Sequence, residues 1–218
     1  MEKKHPRREV RTLKRLIIYC KGPTEKSFVK TVLAPYLWGV GVFVEPIGAG
    51  GVSRYGRIKK ELTRLCKNDP SAVFSTMLDY YGLPSDTPGI ATASGSAHER
   101  ASHIESAVTE DLGGLDNLVF NVIVHEFEGL LFSEVSAFAG IADAKQIARL
   151  QSIRADFESP EHINNAFDST PSRRIMGIIT NYAKVRDGTI IADRIGMDTM
   201  TTQCPHFGRW ISRMLAMA

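Results

Sequence analysis

Cysteine is scarce in this chain. Cys20, Cys66 and Cys204 are scattered through 218 residues. Their odd number and wide separation offer no disulfide framework and no zinc-ligand spacing, so a reduced, cytosolic protein is expected. Long hydrophobic runs are missing too. No stretch reaches the roughly 18 apolar residues that suggest a bilayer span, and the start lacks the apolar core of a signal peptide. No membrane partner is expected. Repeats and low-complexity tracts are absent. Charge of one sign does not dominate, because Lys and Arg number 27 against 24 Asp and Glu. That balance permits a nucleic-acid partner without arguing for one. Only residues 1–15, MEKKHPRREVRTLKR, are lopsided, with seven Lys or Arg against two Glu. They read either as a solvated tail or as a basic arm touching phosphate.

What is present suffices for a core. Hydrophobic residues make up 43% and charged residues 23%, as in ordinary globular domains. The length suits one domain with insertions or a small appendage.

The most informative stretch is Arg15-Leu16-Ile17-Ile18-Tyr19-Cys20-Lys21-Gly22-Pro23-Thr24-Glu25. An apolar run of strand formers stops at a Gly-Pro turn, and a helical pattern follows. Thr24 is expected to cap that helix. Glu25 falls in its first turn, where a carboxylate meets the positive end of the helix. Two more acidic points follow apolar runs: Asp79 after Met77-Leu78, and Glu126 and Glu128 after Val124-His125. Three strand-end carboxylate sites suggest a divalent-metal centre of oxygen ligands. Glu25 alone also has a plainer reading, as a charge that stabilises the helix start.

Residues 16–20, 40–47, 72–78 and 118–124 read as strands. Residues 24–37, interrupted near Pro35, read as a helix, as do 55–67 and 97–111. Residues 126–139 begin another, and short helices and loops follow residue 140. Strands alternating with helices predict an α/β sheet, mostly parallel, with helices on both faces. The expected organisation is a basic arm over residues 1–15, an α/β core over 16–140 and a helical extension over 141–218 packed on it. The loop Gly48-Ala49-Gly50-Gly51, with Arg54 nearby, has neither P-loop nor dinucleotide-fingerprint spacing. It is read as a loop, with phosphate contact the lesser option. His98 and His103 are five residues apart, so they do not share a helical face and read as surface histidines. Cys204 and His206 are expected to pack.

Together the segments YCKGPTEKSFVKTVLAP, MLDYYGLPSDTPG, VHEFEGLLFSE, STPSRRI and CPHFGRW resemble the DUF4276 family of TOPRIM-like bacterial proteins, over about residues 16–210. TOPRIM domains occur in topoisomerases, primases and the overcoming-lysogenization-defect nucleases. The resemblance implies a small Rossmann-like sheet whose acids hold Mg²⁺ or Mn²⁺ for phosphodiester chemistry, with Glu25, Asp79, Glu126 and Glu128 as the metal ligands here. At the junction after Val124, Glu126 is the better candidate of its pair. His125 is a ligand neighbour, a general base or a hydrogen-bonding support. Arg173 and Arg174, in the matched Ser-Arg-Arg segment, are candidates for contacting phosphate. Tyr80 and Tyr81 replace the second acid of the usual Asp-x-Asp pair, and they either stack on bases or pack.

The family pattern Glu-Gly-x-Thr-Glu begins here with Lys21. An ammonium offers no ligand to a metal and repels it. Lys21 therefore marks an inactivating change, a natural pseudo-enzyme, or a site in which it contacts phosphate while the remaining acids bind metal. The resemblance implies a nuclease acting on DNA or RNA, beside an AAA- or SMC-like ATPase in bacterial antiviral defence. A non-catalytic binding or regulatory subunit, and a phosphoryl-transfer enzyme on a small nucleotide, are the alternatives.

Overall fold

The computed structural model describes residues 14–50, 54–164 and 169–218. Most of the basic arm, together with Gly51, lies outside them. Five strands form one parallel sheet: β1 (Lys14–Cys20), β2 (Val42–Gly48), β3 (Val73–Asp79), β4 (Leu118–Val119) and β5 (Val122–Ile123). The order is β2-β1-β3-β4, with β5 also beside β3. The expected α/β architecture is what forms.

The strands are apolar on both sides because both faces are covered. Leu16, Ile18, Cys20 and Met77 face one apolar cluster, and Tyr19, Phe74 and Leu78 face the other. The second face carries α3 (Tyr55–Asn68) and α4 (Ala97–Asp111), which contribute Ile58, Leu62, Ile104 and Val108. A Ser96–Glu99 capping box starts α4. The first face carries α1 (Pro23–Phe28) and α2 (Ala34–Trp38), joined by a π-helical turn over Val29–Leu33.

That turn replaces the interruption expected near Pro35. Proline has no N–H and crowds the carbonyl four residues back. The Ala34 N–H bonds to Val29 O, five residues back, so the helix passes the proline without breaking. Gly22, not Thr24, precedes α1. Pro23 takes the first helical position, where a missing N–H costs nothing.

The C-terminal part completes the first face. Residues 126–139 form two 3₁₀ turns, Phe127–Ser133 and Val135–Phe138, rather than a helix. Then come α5 (Ala144–Ala155), a 3₁₀ turn (Pro160–His162), α6 (Pro171–Ile178), α7 (Lys184–Ile195), α8 (Met197–Gln203) and α9 (Pro205–Met217). Phe28, Phe127, Ile191, Phe207 and Trp210 share one buried cluster with β1 and β3. No helix among the described residues is long and apolar enough to cross a membrane.

The fourth strand is split. Between β4 and β5, the Thr76 hydroxyl donates to Asn121 O and accepts from Asn121 N–H, both at 2.8 Å. A side chain thus stands in for the ladder where the backbone leaves register. On the other face, Trp210 Nε1 donates to Ser75 Oγ, which donates to Val119 O, each at 2.7 Å. Thr76→Val keeps the shape and strands two buried backbone groups. It is expected to cost about 2–6 kcal/mol in urea unfolding, from about 1–3 kcal/mol per unsatisfied group. A change under about 0.5 kcal/mol would mean that the stitch is dispensable.

Candidate functional site

The order of the sheet says where a site belongs. From β1 the chain turns to β2 on one side, and from β3 it turns to β4 on the other. The connections diverge between β1 and β3, and the crevice beyond their C-terminal ends is where open α/β sheets bind ligands. Lys21 follows β1, and its N–H bonds to Met77 O at 3.1 Å, which extends the pairing with β3. Asp79 ends β3. Their side chains meet in the crevice, with Lys21 Nζ 2.9 Å from Asp79 Oδ2. Gly82 makes room, because a Cβ there would collide with Lys21 Cε and Nζ.

Glu25 lies on the adjoining turn. As the third residue of α1 it sits at the positive helix end and is buried. Glu126 and Glu128 come in beyond β5. Glu126 Oε2 accepts from the Ser172 N–H at 3.0 Å, so Glu126 caps the start of α6. Glu128 is buried and pairs with Lys184 at 3.3 Å.

These groups feel one another. Burial pushes the Asp79 carboxyl up to about 7. Lys21 opposes that shift, and the charges of Glu25 and Glu128 add to it. Burial disfavours the Lys21 ammonium, yet Asp79, then Glu25 and Glu126, together hold it above its ordinary value. Burial also raises Glu128, partly offset by Lys184. The edge is therefore a pool of negative charge with two lysines set into it.

Two buried side-chain atoms among the described residues lack a hydrogen-bond partner: Asp79 Oδ1 and the Tyr182 hydroxyl. Burial, then Glu128 and Asp187, raise the Tyr182 phenol. Gly188 leaves space for that hydroxyl, since a Cβ there would lie 2.9 Å from it. Both orphaned atoms thus border Glu128 electrostatically.

Does this donor set fit Mg²⁺ or Mn²⁺? The orphaned Asp79 Oδ1 is the kind of atom a cation would satisfy. Its sister oxygen, however, is taken by an ammonium. Among the described residues no three His, Cys, Asp or Glu side chains are grouped to hold a metal. With Lys21 seated, the arrangement suits an internal ammonium and does not fit a divalent ion.

His125 is the one described non-glycine residue with positive φ, at 65°. That conformation is costly outside glycine and tends to gather at functional sites. Its ring is buried, its Nδ1 accepts from Asn164 Nδ2 at 3.3 Å, and it stacks on Tyr81. Burial, then the charge of Arg100, lower it to about 4, so it is a neutral ring near pH 7.

The arginines take separate places. Arg54 is exposed ahead of α3. Arg173 is exposed in the first turn of α6. Arg174 donates to Ser169 O at 2.7 Å and lies over the Phe157 ring. His103 is exposed, as read from the sequence. His98 is half-buried and bonds to Glu161 at 3.0 Å. Glu161 in turn accepts from the His206 and Phe207 N–H groups and so caps α9. The sequence reading did not assign Gly82, Tyr182 or Lys184 to the site. Gly82 meets Lys21 and Lys184 meets Glu128 through long-range contacts that no local pattern announces.

Asp79 makes stability depend on pH. Its carboxyl is near 3.9 when unfolded and about 7 when folded. The folded form binds the proton more tightly. That stabilisation is complete below about pH 4 and is lost as pH rises through about 7, by up to about 4 kcal/mol. Urea unfolding across this range is expected to show the decline in the native chain and its loss in Asp79→Asn. Lys21→Met should carry the decline above pH 7. Identical profiles for the native chain and Asp79→Asn would refute the assignment.

No curated protein matches the chain. Among solved structures, the C-terminal region of the Burkholderia pseudomallei OLD protein is similar, with a TM-score of 0.45 and 19% identity over 94% of this chain and 99% of that one. The C-terminal region of the Xanthomonas campestris pv. campestris OLD protein is similar at a TM-score of 0.40 and 13% identity, over 93% and 98%. The model of the family described as "Domain of unknown function (DUF4276)" matches residues 20–215. That match takes in the end of β1, all of β2 to β5, the crevice and most of α9, and the chain belongs to the DUF4276 family.

Proposed function

We propose that this chain is a TOPRIM-like, nuclease-type subunit whose phosphodiester site is quenched by its own lysine. One observation carries the reading. At the crevice between β1 and β3, the residue standing at the first acidic position of the motif puts an ammonium 2.9 Å from Asp79. Buried Glu25 and Glu128 act electrostatically on that same Asp79.

The chemistry follows from charge. Carboxylates converging in a buried crevice repel one another, and a cation among them relieves the repulsion. In a hydrolase of this kind the cation would be Mg²⁺ or Mn²⁺, which also activates water. An ammonium balances the charge and cannot activate water in that way. The motif resemblance supports nucleic acid as the substrate. It also supports an AAA- or SMC-like ATPase partner and a role in antiviral defence.

The same pair favours a second reading, a binding or regulatory subunit with no chemistry of its own. One substitution separates the two. Lys21→Glu is expected to raise Mg²⁺- or Mn²⁺-dependent cleavage of labelled DNA or RNA about tenfold or more, equal to at least about 1.4 kcal/mol of barrier. Calorimetry should show Mn²⁺ binding by that variant, and Lys21→Glu with Asp79→Asn should lose both gains. Equal cleavage by the native chain and Lys21→Glu would sink the quenched-site reading. Metal binding without cleavage, with the ATPase partner supplied, would favour the regulatory subunit.

A further inference from the structure

Beside the carboxylates lies an aromatic ladder with an open face. Tyr80 and Tyr81 follow Asp79 directly, in a 3₁₀ turn at the end of β3. Their rings meet edge to face, with centroids 5.4 Å apart and planes at 87°. The Tyr81 ring then lies nearly parallel to the His125 ring, at 5.7 Å and 16°. The guanidinium of Arg100, from α4, sits 5.7 Å from the Tyr80 centroid and is held by a bond to Gly95 O at 2.6 Å. The four side chains come from three separate elements and converge on the edge that holds Lys21 and Asp79.

Burial distinguishes the members. His125 is 3% exposed, whereas Tyr81 is 44% exposed. A ring that merely filled the core would be covered. Tyr81 has one face supported by a buried ring and much of its surface open. The support is fixed, because the positive φ of His125 aims its imidazole at Tyr81 and Asn164 holds Nδ1. Among the described residues, the other well-exposed aromatics, Tyr36, Trp38 and Phe43, lie where α2 ends and β2 begins, at the opposite edge of the sheet. Among the described residues, Tyr81 is therefore the exposed ring next to the crevice.

We propose that Tyr81, backed by His125, is a stacking platform for an unpaired base, and that the subunit takes single-stranded nucleic acid. The inference deepens the nuclease reading and rests on it for the nature of the ligand. Every base has a π-face, so a rigid exposed ring beside a phosphodiester site binds strands with little regard to sequence. Duplex DNA hides those faces within its stack and cannot use the ring. Arg100, lying along the ladder, supplies positive charge for the backbone of the bound strand.

Binding of fluorescein-labelled strands, read by anisotropy in EDTA to prevent cleavage, tests this. The probes are a short thymidine oligonucleotide, an abasic strand of equal phosphate count and a blunt duplex. The native chain is expected to bind the thymidine strand about tenfold more tightly than the abasic one, and the duplex more weakly than the thymidine strand. Tyr81→Ala should reduce thymidine binding to the abasic level, and Tyr81→Phe should retain it. Equal binding of thymidine and abasic strands, thymidine binding unchanged in Tyr81→Ala, or preference for the duplex would overturn the platform and leave the nuclease reading standing on phosphate contacts. Failure to bind any probe would overturn both.

Discussion

Buried negative charge at one sheet edge is the constraint that the rest of this structure answers. A carboxylate removed from water is stable only if something positive or a hydrogen-bond donor meets it. Parallel strands deliver Asp79 to the same rim as Glu25, Glu126 and Glu128. The chain meets them with unlike means. Lys21 pairs with Asp79, Lys184 pairs with Glu128, the α6 start receives Glu126, and the α1 dipole favours Glu25. Two of the four partners come from beyond residue 170. The C-terminal helices are therefore part of the charge balance of the crevice as well as a cover for the sheet.

That dependence explains why one apolar cluster joins the sheet to the last helix. The first face of β1 and β3 would be only partly covered, by α1 and α2, without α7 and α9. Ser75, a polar residue in a strand buried on both sides, is tied down by Trp210 from α9. Glu161 anchors the beginning of α9 through two backbone N–H groups. Polar bonds of this kind fix the helix in position, while apolar contact supplies most of the stabilisation.

Much of the fold was legible in the sequence. β1, β2, β3, α3 and α4 stand within two residues of where periodicity and turn residues put them. Alternation of strand and helix gave the parallel sheet. What local pattern could not show were exchanges with distant partners. The single apolar run 118–124 became two strands because Thr76, more than forty residues earlier, supplies a hydroxyl to Asn121. Residues 126–139 carry helical spacing but wind as 3₁₀ turns. At the site, the position of Lys21 in the motif pointed to the crevice. The capping role of Glu126 and the presence of Tyr182 became visible only once the chain had folded.

Gly82 has a bearing on ancestry. A side chain at that position would strike only the flexible end of Lys21, so it would evict the ammonium and leave the backbone in place. The lysine's place in the crevice thus depends on the glycine. A lysine at 21 that sits in the crevice needs a bare position 82. A lineage that restores an acid at 21 releases 82 to vary. Across relatives the two positions should change together, and a relative with Lys at 21 and a bulky residue at 82 would hold its lysine outside the crevice.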